Sequence, residues 1–199
     1  MDPPTEDVTA RYVSMLAQLG CKKDAPVMAR AIAYLEKTQR PDGSWFGRWG
    51  TNYIYGTWSV LCALNAAGIE EDSHAVRRAV AWLLSRQNED GGWGEDGRSY
   101  FGVAPGFGKE STASQTAWAL LGLMAAGEVD NPAVKKGVAY LTGAKRDGDK
   151  WEEPWFTAVG FPRVFYLRYD GYSRYFPIWA LARYRNLVKT GRRDAVFGL

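Results

Sequence analysis

One histidine, two cysteines and no long apolar run leave several kinds of chemistry without their raw material in this 199-residue chain. His74 falls in the first turn of a predicted amphipathic helix, and no Ser or Cys is placed to form a dyad with it, which argues against nucleophilic catalysis. Cys21 and Cys62 are isolated and fit no zinc spacing, so they read as small core residues in a reducing compartment; no metal and no cofactor is expected. The N-terminal MDPPTEDV has neither a basic flank nor an apolar core, and no apolar stretch reaches the roughly 20 residues of a spanning helix. A cytoplasmic chain without a signal peptide or transmembrane helix is therefore expected. The formal charge is only +3, with no Lys/Arg stripe interleaved with exposed aromatics, so no nucleic-acid partner is expected. Acids are present but poorly placed. Glu89, Asp90, Glu95 and Asp96 surround a turn and read as a solvated loop, and the neighbours Glu152 and Glu153 would diverge rather than form a glycosidase-type pair.

What the chain has in abundance is tryptophan, nine in all, within an aromatic content of 14%. The segment from Gln39 to Trp58, QRPDGSWFGRWGTNYIYGTW, is the densest, with three tryptophans, two tyrosines and four glycines. Its first part recurs. Gln87 to Trp93 reads QNEDGGW with the same Gln-to-Trp spacing as Gln39 to Trp45, and Lys145 to Trp151, KRDGDKW, keeps the length while replacing the glutamine. An Asp-Gly turn ahead of an indole suits a local staple: glycine tolerates positive φ, and aspartate can bond the backbone ahead. A glutamine can bond carbonyls at one helix end and amides at the next. Gln39, Trp45, Gln87, Trp93 and Trp151 are accordingly assigned structural roles.

Between the staples the pattern is helical. Predicted helices span 5–19, 25–38, 57–67, 73–86, 112–126, 131–143 and 173–190, with Thr5 and Ser73 as caps and Gly20, Gly68 and Gly127 as stops. In the first, Val8, Tyr12, Met15, Leu16 and Leu19 form the apolar face. Segments 57–67 and 112–126 are apolar nearly all round, whereas 25–38 and 73–86 are amphipathic, as expected of buried inner and half-exposed outer helices. Staples at a spacing of 48 and then 58 residues define a two-layer array of helical hairpins. The fold class is all-α: an α/α toroid, an incomplete α6–α6 barrel of about seven helices, whose open flank exposes apolar surface. The joining loops carry Trp49, Tyr53, Tyr55, Trp58, Phe161, Phe165, Tyr166, Tyr169 and Tyr172. Ring faces attract cations without offering a nucleophile. Composition leaves two readings open, a cavity for carbocation chemistry and a plain packed core under long loops.

Two Q-x-x-D-G-x-W copies together with FGRWGTNYIYGTW, STASQTAWAL and GFPRVFYLRY resemble the C-terminal part of bacterial squalene-hopene cyclases, in the triterpene cyclase family. The similarity runs from about Thr5 to Lys189. The resemblance implies that the repeats are QW motifs bracing outer helices. It also implies that Phe161 and Phe165 stabilise ring cations, that Leu167 shapes the cavity, and that Trp49 and Tyr55 lie near the active site. Tyr169 and Tyr172 match tyrosines near the first cyclisation, and Arg11 matches the basic partner of the catalytic aspartate. The family's acid motif, D-x-D-D, is absent from this sequence. The expectation is a C-terminal part of a cyclase domain, 1–199, without the acid motif and second barrel, and inactive alone. Its expected partners are squalene or a similar apolar polyprenoid in the complete enzyme, and the missing N-terminal half or a second copy at the open flank, with a membrane-peripheral location. The alternative is a non-catalytic α/α module, natural or engineered, that binds an apolar ligand or partner chain.

Overall fold

The computed structural model describes residues 3–102 and 110–191. Seven α-helices lie within them: α1 (Glu6–Gln18), α2 (Pro26–Thr38), α3 (Tyr53–Ala66), α4 (His74–Ser85), α5 (Ala113–Ala125), α6 (Pro132–Gly143) and α7 (Tyr172–Thr190). The odd-numbered helices pack side by side as an inner row in the order α1, α3, α5, α7, and α2, α4 and α6 back onto them. Every residue from Tyr53 to Leu64 in α3, and all of α5, is buried. These two helices are covered on both sides, so a polar stripe has no solvent to face. The even helices bury one face only, Met28, Ile32 and Leu35 in α2 for example.

The strands are confined to two small hairpins inside loops, β1 (Arg146–Asp147) with β2 (Lys150–Trp151), and β3 (Ala158–Phe161) with β4 (Phe165–Leu167). The sequence reading did not anticipate either hairpin. They decorate an all-α fold. β3 also extends to an earlier loop, through an isolated bridge between Gly50 and Ala158 and a bond from Thr51 N to Thr157 O of 2.9 Å.

Each tryptophan staple closes the same way. Indole Nε1 donates to a carbonyl in the last turn of the outer helix ten residues back: Trp45 to Leu35 at 2.7 Å, Trp93 to Leu83 at 2.8 Å and Trp151 to Leu141 at 2.7 Å. Those carbonyls are among the acceptors that a helix end leaves unpaired. The glutamines reach further. Gln39 Nε2 bonds Gly43 O in its own turn and Ala75 O in the first turn of α4, and Gln87 repeats this with Gly91 O and Ala133 O of α6. The target on the next helix is a carbonyl, not the amide the sequence suggested. Gly43 lies at φ +98, and a Cβ there would come 2.5 Å from Arg78 O, so the turn needs glycine on both counts.

Three local expectations change. The helix carrying Tyr55 and Trp58 begins at Tyr53, four residues before the predicted start, so both rings belong to an inner helix and not to a loop. Within it, a Cβ on Gly56 would approach Trp45 O to 2.4 Å: it is glycine because the staple loop crosses the helix there. Neither Thr5 nor Ser73 caps through its side chain. Of the predicted apolar face of α1, Leu16 packs partly buried against the core and the rest does not. Ala10, Val13 and Ser14 are buried instead, while Val8, Tyr12, Met15 and Leu19 are exposed, Leu19 by 76%. α1 is an inner helix at the end of its row, and one side of it has no neighbour among the described residues.

Candidate functional site

Aromatic side chains from three inner helices meet near their N-terminal ends. Trp58 of α3 and Trp118 of α5 stack with centroids 5.9 Å apart and planes at 6°, and Tyr55 meets Trp118 edge-on at 5.0 Å. From α7, Phe176 stands edge-on to both indoles at 5.4 Å, Trp179 lies 6.4 Å from Trp58, and Tyr172 contacts Trp118 and Phe176. Tyr169 extends the group through Tyr172, at 5.2 Å. Edge-to-face contacts dominate because ring edges are positive and faces negative.

Arg11 completes this cluster from α1. Its guanidinium lies 5.2 Å from the Trp58 centroid and 5.5 Å from that of Tyr55, and Nη2 donates to the Tyr55 hydroxyl at 3.0 Å. The cluster thus supplies Arg11 with a hydroxyl and two ring faces as partners. Burial pushes the Tyr55 phenol up, with Arg11 opposing the shift. Burial likewise raises Tyr172. Below the cluster, burial holds the Cys62 thiol at about 12, so it is an inert core thiol at neutral pH.

Trp49, Phe161 and Phe165 form a second group. Phe161 and Phe165 sit on the β3–β4 hairpin with rings 5.7 Å apart, and the Arg48 guanidinium lies 5.1 Å from Phe161 and 5.0 Å from Trp49. Phe161, Phe165 and Trp49 are exposed by 50%, 45% and 39%. Leu167, opposite Ala158 in the hairpin, is half-buried.

Two anchors hold the loop that carries Trp49 against α1. The buried Asp7 accepts from the Arg48 and Trp49 amides through Oδ2, at 2.9 and 3.0 Å, and from Thr5 Oγ1 and Val8 N through Oδ1. The Tyr100 hydroxyl, from a 3₁₀ turn at Gly97–Phe101, lies 2.6 Å from Gly47 O and 2.9 Å from Gly50 O. Gly50 leaves room for Tyr55, whose ring a Cβ would meet at 2.4 Å. The two groups of rings are thus joined through one loop.

Carboxylates also set the inner helices. Glu95, two residues after Trp93, is fully buried and accepts from the amides of Asn52, Tyr53 and Ile54 at the start of α3. Glu153, two residues after Trp151, accepts from Ser114 N at the start of α5. Both carboxyls are pushed up by burial, opposed by those bonds. The solvated acidic loop is corrected at Glu95, which lies inside the protein; Glu89 and Asp90 are exposed, Asp90 accepting from Gly92 N and Ser111 Oγ, and the half-buried Asp96 pairs with Arg98. No cluster of three or more metal-ligating side chains occurs among the described residues. Glu152 turns away to Lys145, at 2.8 Å.

A family model for the squalene-hopene cyclase C-terminal domain matches residues 1–186. The chain belongs to that family. Relatives include the squalene-hopene cyclases of Bradyrhizobium diazoefficiens, 62% identical across 100% of this chain and 30% of that protein, and of Alicyclobacillus acidocaldarius, 54% identical across 94% and 30%. The chain thus spans about 30% of the length of these relatives. Among solved structures, ent-copalyl diphosphate synthase from Streptomyces platensis superposes with a TM-score of 0.59 over 96% of this chain and 34% of its own, at 20% identity, which is a likeness of fold. Within this family, the described residues of the chain form an α/α array stapled by its repeated tryptophan turns.

Sequence reasoning missed Trp118, Phe176 and Trp179 in the cluster, and Asp7, Arg48, Glu95 and Tyr100 around it. For α7 a signal existed: Tyr172, Phe176 and Trp179 stand at i, i+4 and i+7, one face of a helix. Asp7 and Glu95 gave none, because their partners are backbone amides about 40 residues away.

Proposed function

We propose that this chain forms part of the wall of a cyclisation cavity in which squalene is folded and closed by acid-initiated polycyclisation to a hopene-type product. The observation that carries the proposal is the group of exposed rings Trp49, Phe161 and Phe165, backed by the buried aromatic cluster from Tyr55 to Trp179. A ring face stabilises a passing carbocation by about 0.5–2 kcal/mol and cannot trap it covalently. Packed aromatic walls exclude water, which would otherwise quench the cation early.

The acid comes from a D-x-D-D motif outside this sequence. Arg11 is its proposed partner: a guanidinium beside a carboxyl lowers its pKa and makes it a stronger proton donor to an alkene. Tyr55 and Trp58 hold Arg11 for that task. Phe161 and Phe165 serve the late ring cations, Tyr169 and Tyr172 the first ring, and Leu167 shapes the wall. The exposed row Val8, Tyr12, Met15 and Leu19 is covered by the acid-bearing part of the enzyme or by a second copy. No helix among the described residues is long and apolar enough to cross a membrane; a cytoplasmic, membrane-peripheral enzyme is proposed. An apolar-ligand module without chemistry has no observation in its favour here.

The test supplies the missing acid. The purified chain is incubated with squalene alone, and then with the separately expressed N-terminal two-thirds of the Bradyrhizobium cyclase. Hopene only from the mixture is expected. Hopene from the chain alone would place the acid within it and overturn the assignment.

A further inference from the structure

Asp-Gly pairs occur five times in the chain, at Asp42, Asp90, Asp96, Asp147 and Asp170. Glycine has no side chain to shield its amide nitrogen or to restrict its backbone, so in this pair the aspartyl carboxyl and the next nitrogen can reach each other. The tertiary structure restrains four of the five pairs.

Asp42 Oδ1 accepts from Ser44 N and Oγ at 3.0 and 2.7 Å, and Asp90 Oδ1 from Gly92 N and Ser111 Oγ at 2.9 and 2.7 Å. In both turns the glycine amide is itself engaged, Gly43 N with Arg40 O at 2.9 Å and Gly91 N with Asn88 O at 3.0 Å. Asp96 accepts from Arg98 N and Nε, and Gly97 lies against the Tyr166 ring. Asp170 lies 3.9 Å from Lys150, and Gly171 caps α7, its carbonyl accepting from Tyr175 N at 2.8 Å.

Asp147 and Gly148 lack these restraints. Both are exposed at the β1–β2 turn, and a Cβ on Gly148 would meet nothing within 4 Å. Among the described residues, no hydrogen bond engages the Asp147 carboxylate or the Gly148 amide. None of the undescribed segments adjoins this hairpin in the sequence. An exposed turn tip is also where a backbone has most freedom to rearrange.

We propose that Asp147 is a site of spontaneous isoaspartate formation. The Gly148 nitrogen attacks the side-chain carbon of the protonated Asp147 carboxyl. A C–N bond forms, the amide proton and the carboxyl hydroxyl leave as water, and a cyclic succinimide results. Water then opens the ring at either carbonyl, restoring aspartate or leaving isoaspartate; no oxidant, reductant or cofactor is consumed. Isoaspartate carries the backbone through its side chain and lengthens it by one carbon. That carbon enters the turn that sets the pairs Arg146↔Trp151 and Asp147↔Lys150, so the third staple loses its register. The free α-carboxylate of isoaspartate suits a methyltransferase that esterifies isoaspartyl groups with S-adenosylmethionine.

The site does not depend on the cyclisation reading. The purified chain is aged at neutral pH in heavy-oxygen water, folded and in denaturing urea, and peptide mapping by mass spectrometry reads heavy oxygen at each aspartate. Methyl transfer by an isoaspartyl methyltransferase reads the product. In the folded chain Asp147 should react at least about tenfold faster than the other four, because their turns must open first, whereas in urea all five should agree within about threefold. Asp147→Glu, too long for the same ring closure, should remove most methyl acceptance from the folded chain, with circular dichroism as the check on folding. Heavy oxygen at any of the other four aspartates as fast as at Asp147 in the folded chain would overturn the proposal. So would its absence from Asp147, or undiminished methyl acceptance in Asp147→Glu. Each of these results leaves the squalene test standing.

Discussion

Gln39 Nε2 lies 2.8 Å from Ala75 O, a bond from the end of one outer helix to the first turn of the next across 36 residues of sequence. Gln87 makes the same bond to Ala133 O, also at 2.8 Å. Arg78 reinforces the first copy, donating to Gln39 Oε1, Arg40 O and Pro41 O. The third copy has lysine at this place, and its loop is a β-hairpin in which Lys145 pairs with Glu152. After α6 no outer helix follows among the described residues, so a glutamine there would find no carbonyl to hold.

Removing a staple should therefore destabilise the whole array. Trp93→Ala deletes a fully buried indole and the bond to Leu83 O, and a loss of about 3–5 kcal/mol is expected. Gln87→Ala, which costs two bonds to carbonyls, should lose about 1–3 kcal/mol. Urea denaturation of both variants checks the order; equal losses would show that the indole contributes nothing beyond its hydrogen bond.

The buried carboxyls predict a pH dependence. Burial raises Glu95 above its ordinary value of 4.5, so the folded state holds its proton more tightly than the unfolded chain. Stability from this group is complete below about pH 4.5 and is lost as pH rises through the raised value. Glu95→Gln should flatten that slope, measured by urea denaturation from pH 4 to 8. It should also lower stability by about 1–3 kcal/mol, because an amide NH₂ replaces one of the acceptors facing the α3 amides. A slope identical to that of the parent protein would show that another group sets it.

Asp7 offers a test of loop anchoring. Asp7→Asn keeps the volume but turns one acceptor into a donor among four donors. A loss of about 1–3 kcal/mol is expected, together with faster amide exchange at Arg48 and Trp49. Unchanged exchange at those two amides would mean that Tyr100 alone holds the loop.

In the reconstituted enzyme, Arg11→Met should lower squalene turnover about tenfold or more by weakening the acid. Phe161→Ala should instead leave consumption of squalene closer to normal and shift products toward fewer rings. A uniform loss of all products in Phe161→Ala, with no change in their ratio, would argue that the ring acts before cyclisation begins.

The repeat, the helix count and the two classes of helix were legible in the chain because they depend on local periodicity. The Asp-Gly-x-Trp turns and apolar runs carry them within a few dozen residues. The family was legible too, since its motifs lie intact in STASQTAWAL and GFPRVFYLRY. Tertiary structure alone decided which face of α1 is covered: hydrophobicity favoured Val8, Tyr12, Met15 and Leu19, but α2 and α3 pack against the side carrying Ala10 and Val13. It alone turned Glu95 from a loop acid into a buried helix cap, and brought Arg11 onto Tyr55 from 44 residues away. Sequence patterns report which side chains avoid water, whereas a carboxylate meeting backbone amides, or a guanidinium meeting a ring face, depends on how distant segments are placed together in three dimensions.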